Sequence, residues 1–499
     1  MGLSTLPAFG DVWSNLESDS FPILWLVIIR QFSALFGPMN DSAFRVFGFV
    51  IGVGVIAALW LNARGFRHSL PFVSLVLLAA NPAMIRWGDT VRAYGFGILL
   101  ILVTCALVWK FLERPSAMRF AASALAATAS VHVLFYNAVM LFALCAGGVA
   151  VCAHRRAWKH AVAIVSIGAI AAVSLLPYLP SISRAGSWRA VVRMPDYTFA
   201  WFWSKLDEAL RPAGSWTLGV WLVLLALSVI GGLLAVASAK KTRLPAPRHD
   251  VVVFCLVSLL VGIPANYFFL ETLSYYTSPW YYLSVLALAA VCMDGIVGAL
   301  VQTRRARIAR IAVALVLVTA TIIPTRRAVR TRLTTVDLVA ARLEAVAKPG
   351  DLVLVSPWHY GVSFSRYYHG AAAWMTVPAL ASHRFVRYDL VVDNMRLPDQ
   401  TAPVRPVIER LEQALASGNR VFVVGVLLFP SAERQLRALP PAQTAKSLPE
   451  GAYTDQWLLM VGDAIQRHAL RIVPVPIEAN RVVSHYENLS IQVAEGWRP

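Results

Sequence analysis

The chain has 499 residues, of which 58% are apolar and only 14% charged, against roughly 25% charged in an ordinary soluble domain. Its mean hydropathy is +0.61. So few charges cannot coat a water-facing surface of this size, which excludes a soluble enzyme, a disordered chain and a fibrous repeat. The net charge is +18, from 45 basic and 27 acidic residues. On a soluble protein this would suggest nucleic acid; on a membrane protein its simpler source is Lys and Arg in cytoplasmic loops, so no nucleic-acid partner is expected. Cys105, Cys145, Cys152, Cys255 and Cys292 all fall in apolar runs and read as small buried hydrophobes. The first twenty residues lack the apolar core of a signal peptide.

In chain order, Asp11, Glu17 and Asp19 precede Pro22. Residues 22–37 are apolar but too short to span and carry Arg30 and Gln31, which predicts an interfacial helix. A bilayer span needs about 20 mainly apolar residues. Ten candidates follow, near 43–62, 70–86, 94–112, 118–134, 137–153, 160–179, 216–238, 251–271, 279–300 and 309–324. Five alternate loops, around 64–67, 110–119, 155–159, 240–248 and 304–310, are rich in Lys and Arg, with only Glu113 and Asp250 against them. The positive-inside rule makes these loops cytoplasmic. Ten spans then leave both termini on the extracytoplasmic side of the plasma (inner) membrane. Arg326, Arg327, Arg330 and Arg332 run against this orientation and are outvoted by the five loops.

Beyond residue 334 the composition turns polar. Strands are expected at Leu352–Ser356, Leu390–Asp393, Val421–Val426, Trp457–Val461, Leu470–Val475 and Leu489–Val493, with helices at Thr334–Ala347 and Val404–Ser417. This alternation predicts a small α/β domain. It has no phosphate-loop glycine motif, so no nucleotide site is assigned. The expected organisation is an outer juxtamembrane segment over 1–42, an all-α polytopic membrane bundle over 43–324 and an extracytoplasmic α/β domain over 334–499.

Chemistry-bearing residues cluster in the outer loops. Asp11, Glu17 and Asp19 could act as a base or hold a divalent cation. Arg86, Asp89 and Arg92, with Trp87 and Tyr94, place guanidinium groups and an acid at the membrane surface, which suits an anionic phosphate. The loop is too short to need three charges for solubility. His132, with Tyr136 and Asn137 near a span end, is a candidate proton or substrate contact. The 181–215 loop interleaves Arg184, Arg189, Arg193 and Arg211 with Trp188, Trp201 and Trp203, a pattern for gripping lipid phosphate. Tyr275, Tyr276, Trp280, Tyr281 and Tyr282 read as an interfacial aromatic belt. Asp294, inside the ninth span, is expected to be paired within the bundle toward the cytoplasmic side. The Trp358–Gly361 and Arg366–His369 clusters are sugar-stacking candidates, but burial in a small core is the commoner fate of such aromatics.

Three stretches carry a family resemblance. Asp19-Ser20-Phe21-Pro22-Ile23-Leu24-Trp25 resembles the entry to a juxtamembrane helix in the C-type (GT-C) integral-membrane glycosyltransferases. Phe36-Gly37 followed by Phe44-Arg45 resembles the start of that family's next span. Asn81-Pro82, then Asp89-Thr90-Val91-Arg92-Ala93-Tyr94, resembles its outer loop. The dolichyl-phosphate-mannose protein mannosyltransferase-like and aminoarabinose-transferase-like group is the nearest in pattern. The resemblance implies a polyprenyl-phosphate-linked sugar as donor and inverting transfer to a protein, lipid or glycan acceptor on the outer face. It implies an acid as base, Asp89 with Asp19 as the weaker candidate, and Arg86 and Arg92 holding the donor phosphate. Tyr94 would pack at the donor, and His132 and Arg189 would be further contacts. No cofactor is assigned, and a divalent cation is left open. Two departures stand out. The family's Asp-Glu pair has no counterpart in the 21 residues before Pro22, and Thr90 stands where the family carries Glu.

Overall fold

The computed structural model describes all residues except 1, 19–20, 67–69, 89, 187–196, 239–244 and 443–448, and the side chain of Ala306. The chain divides into two compact units. One comprises 21–179 and 196–329; the other comprises 1–20, 180–195 and 330–499.

The first unit is all helical. Its helices are α1 (Ile23–Phe36), α2 (Asp41–Gly65), α3 (Pro82–Gly88), α4 (Ala93–Glu113), α5 (Ala117–Val133), α6 (Asn137–His154) and α7 (Trp158–Val173). They continue with α8 (Phe199–Leu210), α9 (Thr217–Ala237), α10 (Ala246–Leu273), α11 (Leu283–Leu300) and α12 (Arg304–Arg330). Among the described residues, eight helical stretches are long and apolar enough to cross a membrane. Five are α2, α4, α6, α9 and α10 on their own. The others are α7 with its continuation to Ala185, α11 with the Pro279–Tyr282 turn, and α12 from Arg307.

Two of the ten expected spans are shorter. Residues 70–86 do not form one helix: Phe72–Ser74 passes into a π turn over Leu75–Ala79, and the chain restarts at Pro82. Pro82 cannot donate to a preceding turn, and Asn81 Oδ1 accepts the Ala83 amide at 2.8 Å, so the sequence caps a new helix here. The other, α5, has 17 residues.

Burial sorts the helices. The apolar window of α11 is 89% buried against 6% for that of α12, so α11 is the hub of this unit and α12 lies on its rim. The α6–α10 pair is close because Gly147 has no side chain. A Cβ there would sit 2.6 Å from the Phe254 carbonyl oxygen. Buried amides staple the rest. Asn62 Nδ2 donates to the Ala58 and Leu102 carbonyls, both at 2.9 Å, and so ties α2 to α4. Asn137 Nδ2 donates to the Gly97 carbonyl and to Ser130 Oγ, both at 2.9 Å, which joins α6 to α4 and α5.

Asp294 is paired, as expected. It accepts from Ser74 Oγ at 3.0 Å and the Val73 amide at 3.2 Å, and it faces Arg310 at 3.3 Å. All five cysteines are buried and free.

The second unit carries a five-stranded sheet. Its strands are β1 (Arg332–Thr334), β2 (Leu352–Ser356), β3 (Ala373–Thr376), β4 (Val421–Gly425), β5 (Ala469–Val475), β6 (Val483–Glu487) and β7 (Ile491–Trp497). The sheet order is β3-β2-β4-β7-β5, parallel through β4 and antiparallel beyond it; β1 and β6 pair separately. Strand β2 is buried along its whole length, as expected of a parallel strand covered on both faces.

Two expected strands are helices instead. Leu390–Asp393 lies in the helix Tyr388–Arg396, whose buried residues Val391, Val392 and Met395 share one face. Trp457–Val461 lies in the helix Glu450–His468, where Tyr453, Trp457, Leu458, Val461, Ala464 and Ile465 repeat with a helical period. A five-residue apolar run does not distinguish strand from buried helix, and only the wider window does. Trp358 and Tyr368 are core residues, at 3% and 5% exposure. The Trp358 ring N–H donates to Glu450 Oε1 at 2.8 Å, so this tryptophan is not free to stack on sugar.

Asp351 locks the start of β2 to β4. It accepts from the Lys348 amide, the Arg420 amide and the Arg420 guanidinium, at 2.7–2.8 Å. Burial alone would raise its carboxyl pKa. The Arg420 guanidinium and the two amides outweigh burial and hold it below the ordinary value. A carboxyl depressed on folding stabilises above its unfolded pKa of about 4 and loses that contribution as pH falls through the folded value. Asp351→Asn should therefore cost this unit about 1–3 kcal/mol at neutral pH and flatten its acid-limb stability loss below about pH 4. Hydrogen exchange of β2 and β4 peptides in the intact protein, followed against pH, checks both.

Candidate functional site

One end of the membrane unit is lined with aromatic rings, and it is the end at which α4 starts. Arg92 precedes that helix in extended backbone, and Ala93 begins it. The turn back from α3 is tight. Thr90 Oγ1 donates to the Trp87 carbonyl at 2.8 Å, and a Cβ on Gly95 would lie 2.1 Å from the Gly88 carbonyl oxygen. Only glycine at position 95 lets the two helix ends touch. This contact brings the end of α3, which carries Arg86 and Trp87, to the first turn of α4, which Arg92 precedes.

Tyr94 is 2% exposed and stands at the centre of the ring layer. Its ring meets Phe21 edge-on at 5.4 Å, Tyr281 at 6.2 Å and Trp280 at 6.3 Å. Trp280 packs on Trp87 at 4.3 Å, and Tyr281 on Tyr136 at 5.1 Å. Arg92 is exposed, with its guanidinium 5.8 Å from the Trp280 ring centroid, while Arg86 is half-buried. A guanidinium held against an aromatic face beside a greasy bundle, as Arg92 is, can bind a phosphate ester while its hydrocarbon tail stays in apolar surroundings.

His132 belongs to a neighbouring polar cluster. Its Nδ1 is 2.9 Å from the Tyr178 hydroxyl and its Nε2 is 3.0 Å from Ser174 Oγ. The Tyr178 hydroxyl also accepts the Ile23 amide at 3.3 Å, at the first turn of α1. Both ring nitrogens of His132 are thus engaged within the fold. Asn137 is one of the staples described above, and Tyr136 belongs to the ring layer.

A third cluster lies along α8. The Trp201 ring N–H donates to Thr277 Oγ1 at 3.0 Å, and Tyr282 lies 3.0 Å from Thr277 Oγ1 and 3.2 Å from the Tyr197 hydroxyl. Lys205 sits 4.7 Å from the Trp201 ring centroid and 2.6 Å from Glu208, and Asp207 pairs with Arg211.

Of the predicted site residues, Arg92 and Tyr94 share the Trp280 ring, Arg86 lies on α3, and His132 sits in its own hydrogen-bonded cluster. Asp19, Asp89 and Arg189 lie outside the described residues. The other N-terminal acids have structural partners in the second unit: Asp11 accepts the Ala8 amide at 3.2 Å, and Glu17 pairs with Arg184. Sequence reasoning placed Trp280 and Tyr281 in a generic belt and missed that they pack on Tyr94 and Trp87. Nothing in their spacing signals this, because the contact joins segments far apart in the chain.

No protein-family model matches the chain, and no curated protein does. Among solved structures it is similar to the Archaeoglobus fulgidus oligosaccharyltransferase in complex with Zn and sulfate, at 13% identity and a TM-score of 0.45, covering 81% of this chain and 59% of that one. The same enzyme tethered to an acceptor peptide containing the NVT sequon matches at 11% identity and a TM-score of 0.39, covering 82% and 61%. ArnT from Cupriavidus metallidurans bound to undecaprenyl phosphate matches at 14% identity and a TM-score of 0.35, covering 81% of this chain and 82% of that one. This chain thus covers 59% of the length of the first oligosaccharyltransferase structure.

Replacing His132 separates a structural role from a chemical one. His132→Leu leaves the Tyr178 and Ser174 hydroxyls without their imidazole partner and should cost about 1–3 kcal/mol. Thermal unfolding of the purified protein in detergent should show a lowered transition, with His132→Gln restoring part of it.

Proposed function

We propose that this chain transfers a sugar from a polyprenyl-phosphate donor to a protein, lipid or glycan acceptor at the outer membrane face. The observation that carries the reading is that Arg92 and Tyr94, at the first turn of α4, both lie against the Trp280 ring. These residues fall in the stretch that resembles the outer loop of the C-type glycosyltransferases.

The chemistry follows from the charges. In the donor the anomeric carbon is bonded to a phosphate oxygen. Transfer breaks that bond, the electron pair leaves with polyprenyl phosphate, and the acceptor oxygen or nitrogen bonds the same carbon from the opposite face. Negative charge develops on the leaving phosphate, and guanidinium groups already in position stabilise it. Arg92 is the exposed phosphate ligand, and Arg86, half-buried on α3, is the second one. The acceptor gives up a proton, and a carboxylate within reach takes it. Asp89, three residues before Arg92, is the first choice, and Asp19, two residues before Phe21, is the second. A divalent cation, where the reaction uses one, would be held by these carboxylates and would add charge at the phosphate. The hydrocarbon tail stays in the bilayer while the acceptor comes from water, which requires a site at a span end.

A rival reading is a transporter that moves the intact lipid-linked saccharide. The break between Ala80 and Pro82 favours it, since discontinuous helices build transporter binding sites. The two readings differ in product. A transferase releases free polyprenyl phosphate; a transporter returns the donor whole.

Arg92→Ala should lower transfer from a polyprenyl-phosphate sugar by about 100-fold or more, the scale for losing a stabiliser of transition-state charge. The thermal transition in detergent, measured on the same preparation, separates lost chemistry from lost fold. Radiolabelled sugar transfer and release of polyprenyl phosphate, measured together, check this. Full activity in the variant would remove Arg92 from the site.

A further inference from the structure

At the far end of the membrane unit, α6 finishes at His154 and α10 starts, with His249 and Asp250 in its first turns. This is the Glu113 end of α4, because Arg155 Nη1 donates to the Leu112 carbonyl at 2.5 Å. Helix α4 has 21 residues, so the Tyr94 layer lies about 30 Å away at 1.5 Å per residue.

One ligand atom from each of His154, His249 and Asp250 lies within 4.8 Å of the others. The two imidazole rings are 4.6 Å apart, centroid to centroid, and tilted by 31°. His249 is 6% exposed, and neither of its ring nitrogens has a hydrogen-bond partner among the described residues. A buried imidazole always carries at least one N–H or lone pair that needs a partner, and leaving it unmet is costly. His154 is exposed and opens the group to water. Arg155 holds Asp250 through Nε at 2.9 Å and Nη2 at 2.8 Å, both on Oδ2. The other carboxylate oxygen receives no contact from Arg155.

We propose that His154, His249 and Asp250 form a binding site for a divalent transition-metal ion of the zinc class that clasps α6 to α10. Two imidazoles and one carboxylate suit zinc and its neighbours, whereas magnesium and calcium prefer all-oxygen sets. The exposed His154 leaves the fourth position to water. Arg155 orients the carboxylate as an outer partner does in metal sites, and its positive charge weakens the hold on the cation. The site is separate from the sugar-transfer rim and does not depend on that reading.

The test uses the full-length, tag-free protein in detergent, stripped with chelator and titrated with zinc sulfate. Bound zinc is counted after gel filtration, and thermal unfolding is followed alongside. The wild type should hold one zinc per chain and gain thermal stability from it. His249→Gln and His154→Ala should each weaken binding about 100-fold or more and lose the zinc-dependent stability gain. His154 is exposed, so its replacement keeps the fold intact even where His249→Gln does not. A His468→Ala, His485→Ala double variant should bind as the wild type does. Wild-type protein that binds no zinc, or a His154→Ala protein that binds it undiminished, overturns the proposal.

Discussion

Inside a bilayer a polar group has no water to turn to, so it must find its partner within the protein. The membrane unit meets this constraint at a few points. Asn62 reaches across to α4, Asn137 ties α6 to α4 and α5, and Asp294 draws Ser74, Val73 and Arg310 onto the central helix α11. Each side chain would be costly alone. Once satisfied, each fixes which helix faces which, because an alternative register would strand it. Apolar packing alone, in a bundle whose helices are greasy on every side, would leave that choice open.

The same constraint shapes the two ends of the bundle. At the Tyr94 end the chain places rings with polar tips and guanidinium groups with aromatic neighbours, groups at home where hydrocarbon meets water. The ring layer comes from α4, from the turn before α11 and from Phe21 ahead of α1, and it supports Arg92 at its edge. A phosphate ester with a long hydrocarbon chain has the same two-sided character. At the Glu113 end, buried charge is handled differently: Asp250 and Arg155 pair, and the two histidine rings lie beside each other, tilted by 31°.

The polar unit follows a different logic. Its central strands β2 and β4 are buried, and the Asp351–Arg420 pair binds β2 to β4 at one end. In the two aromatic clusters weighed for sugar stacking, Trp358 and Tyr368 are buried in the core, the commoner fate of such residues, while His359 and His369 are exposed.

The long apolar helices were legible in the sequence because a span is a local property: about 20 residues must be apolar, whatever lies around them. Asp294 was legible for the same reason, since a lone carboxylate in such a run has to be paired. Strands β2 and β4 were read correctly from short β-branched runs bounded by turn residues. The Trp457 and Leu390 segments were not, because a short apolar run fits a buried helix equally well and the sheet partners decide. The tandem of Arg86, Arg92 and Tyr94 was visible as local spacing. That Trp280, Tyr281 and Phe21 surround Tyr94, that His132 is held by Tyr178 and Ser174, and that His154 meets His249 were not visible. The sequence by itself determined which segments are greasy enough to enter a membrane and which charges sit beside them. Only the tertiary structure decided which rings, imidazoles and carboxylates from distant segments share a space, because helix packing and not chain distance sets those neighbours.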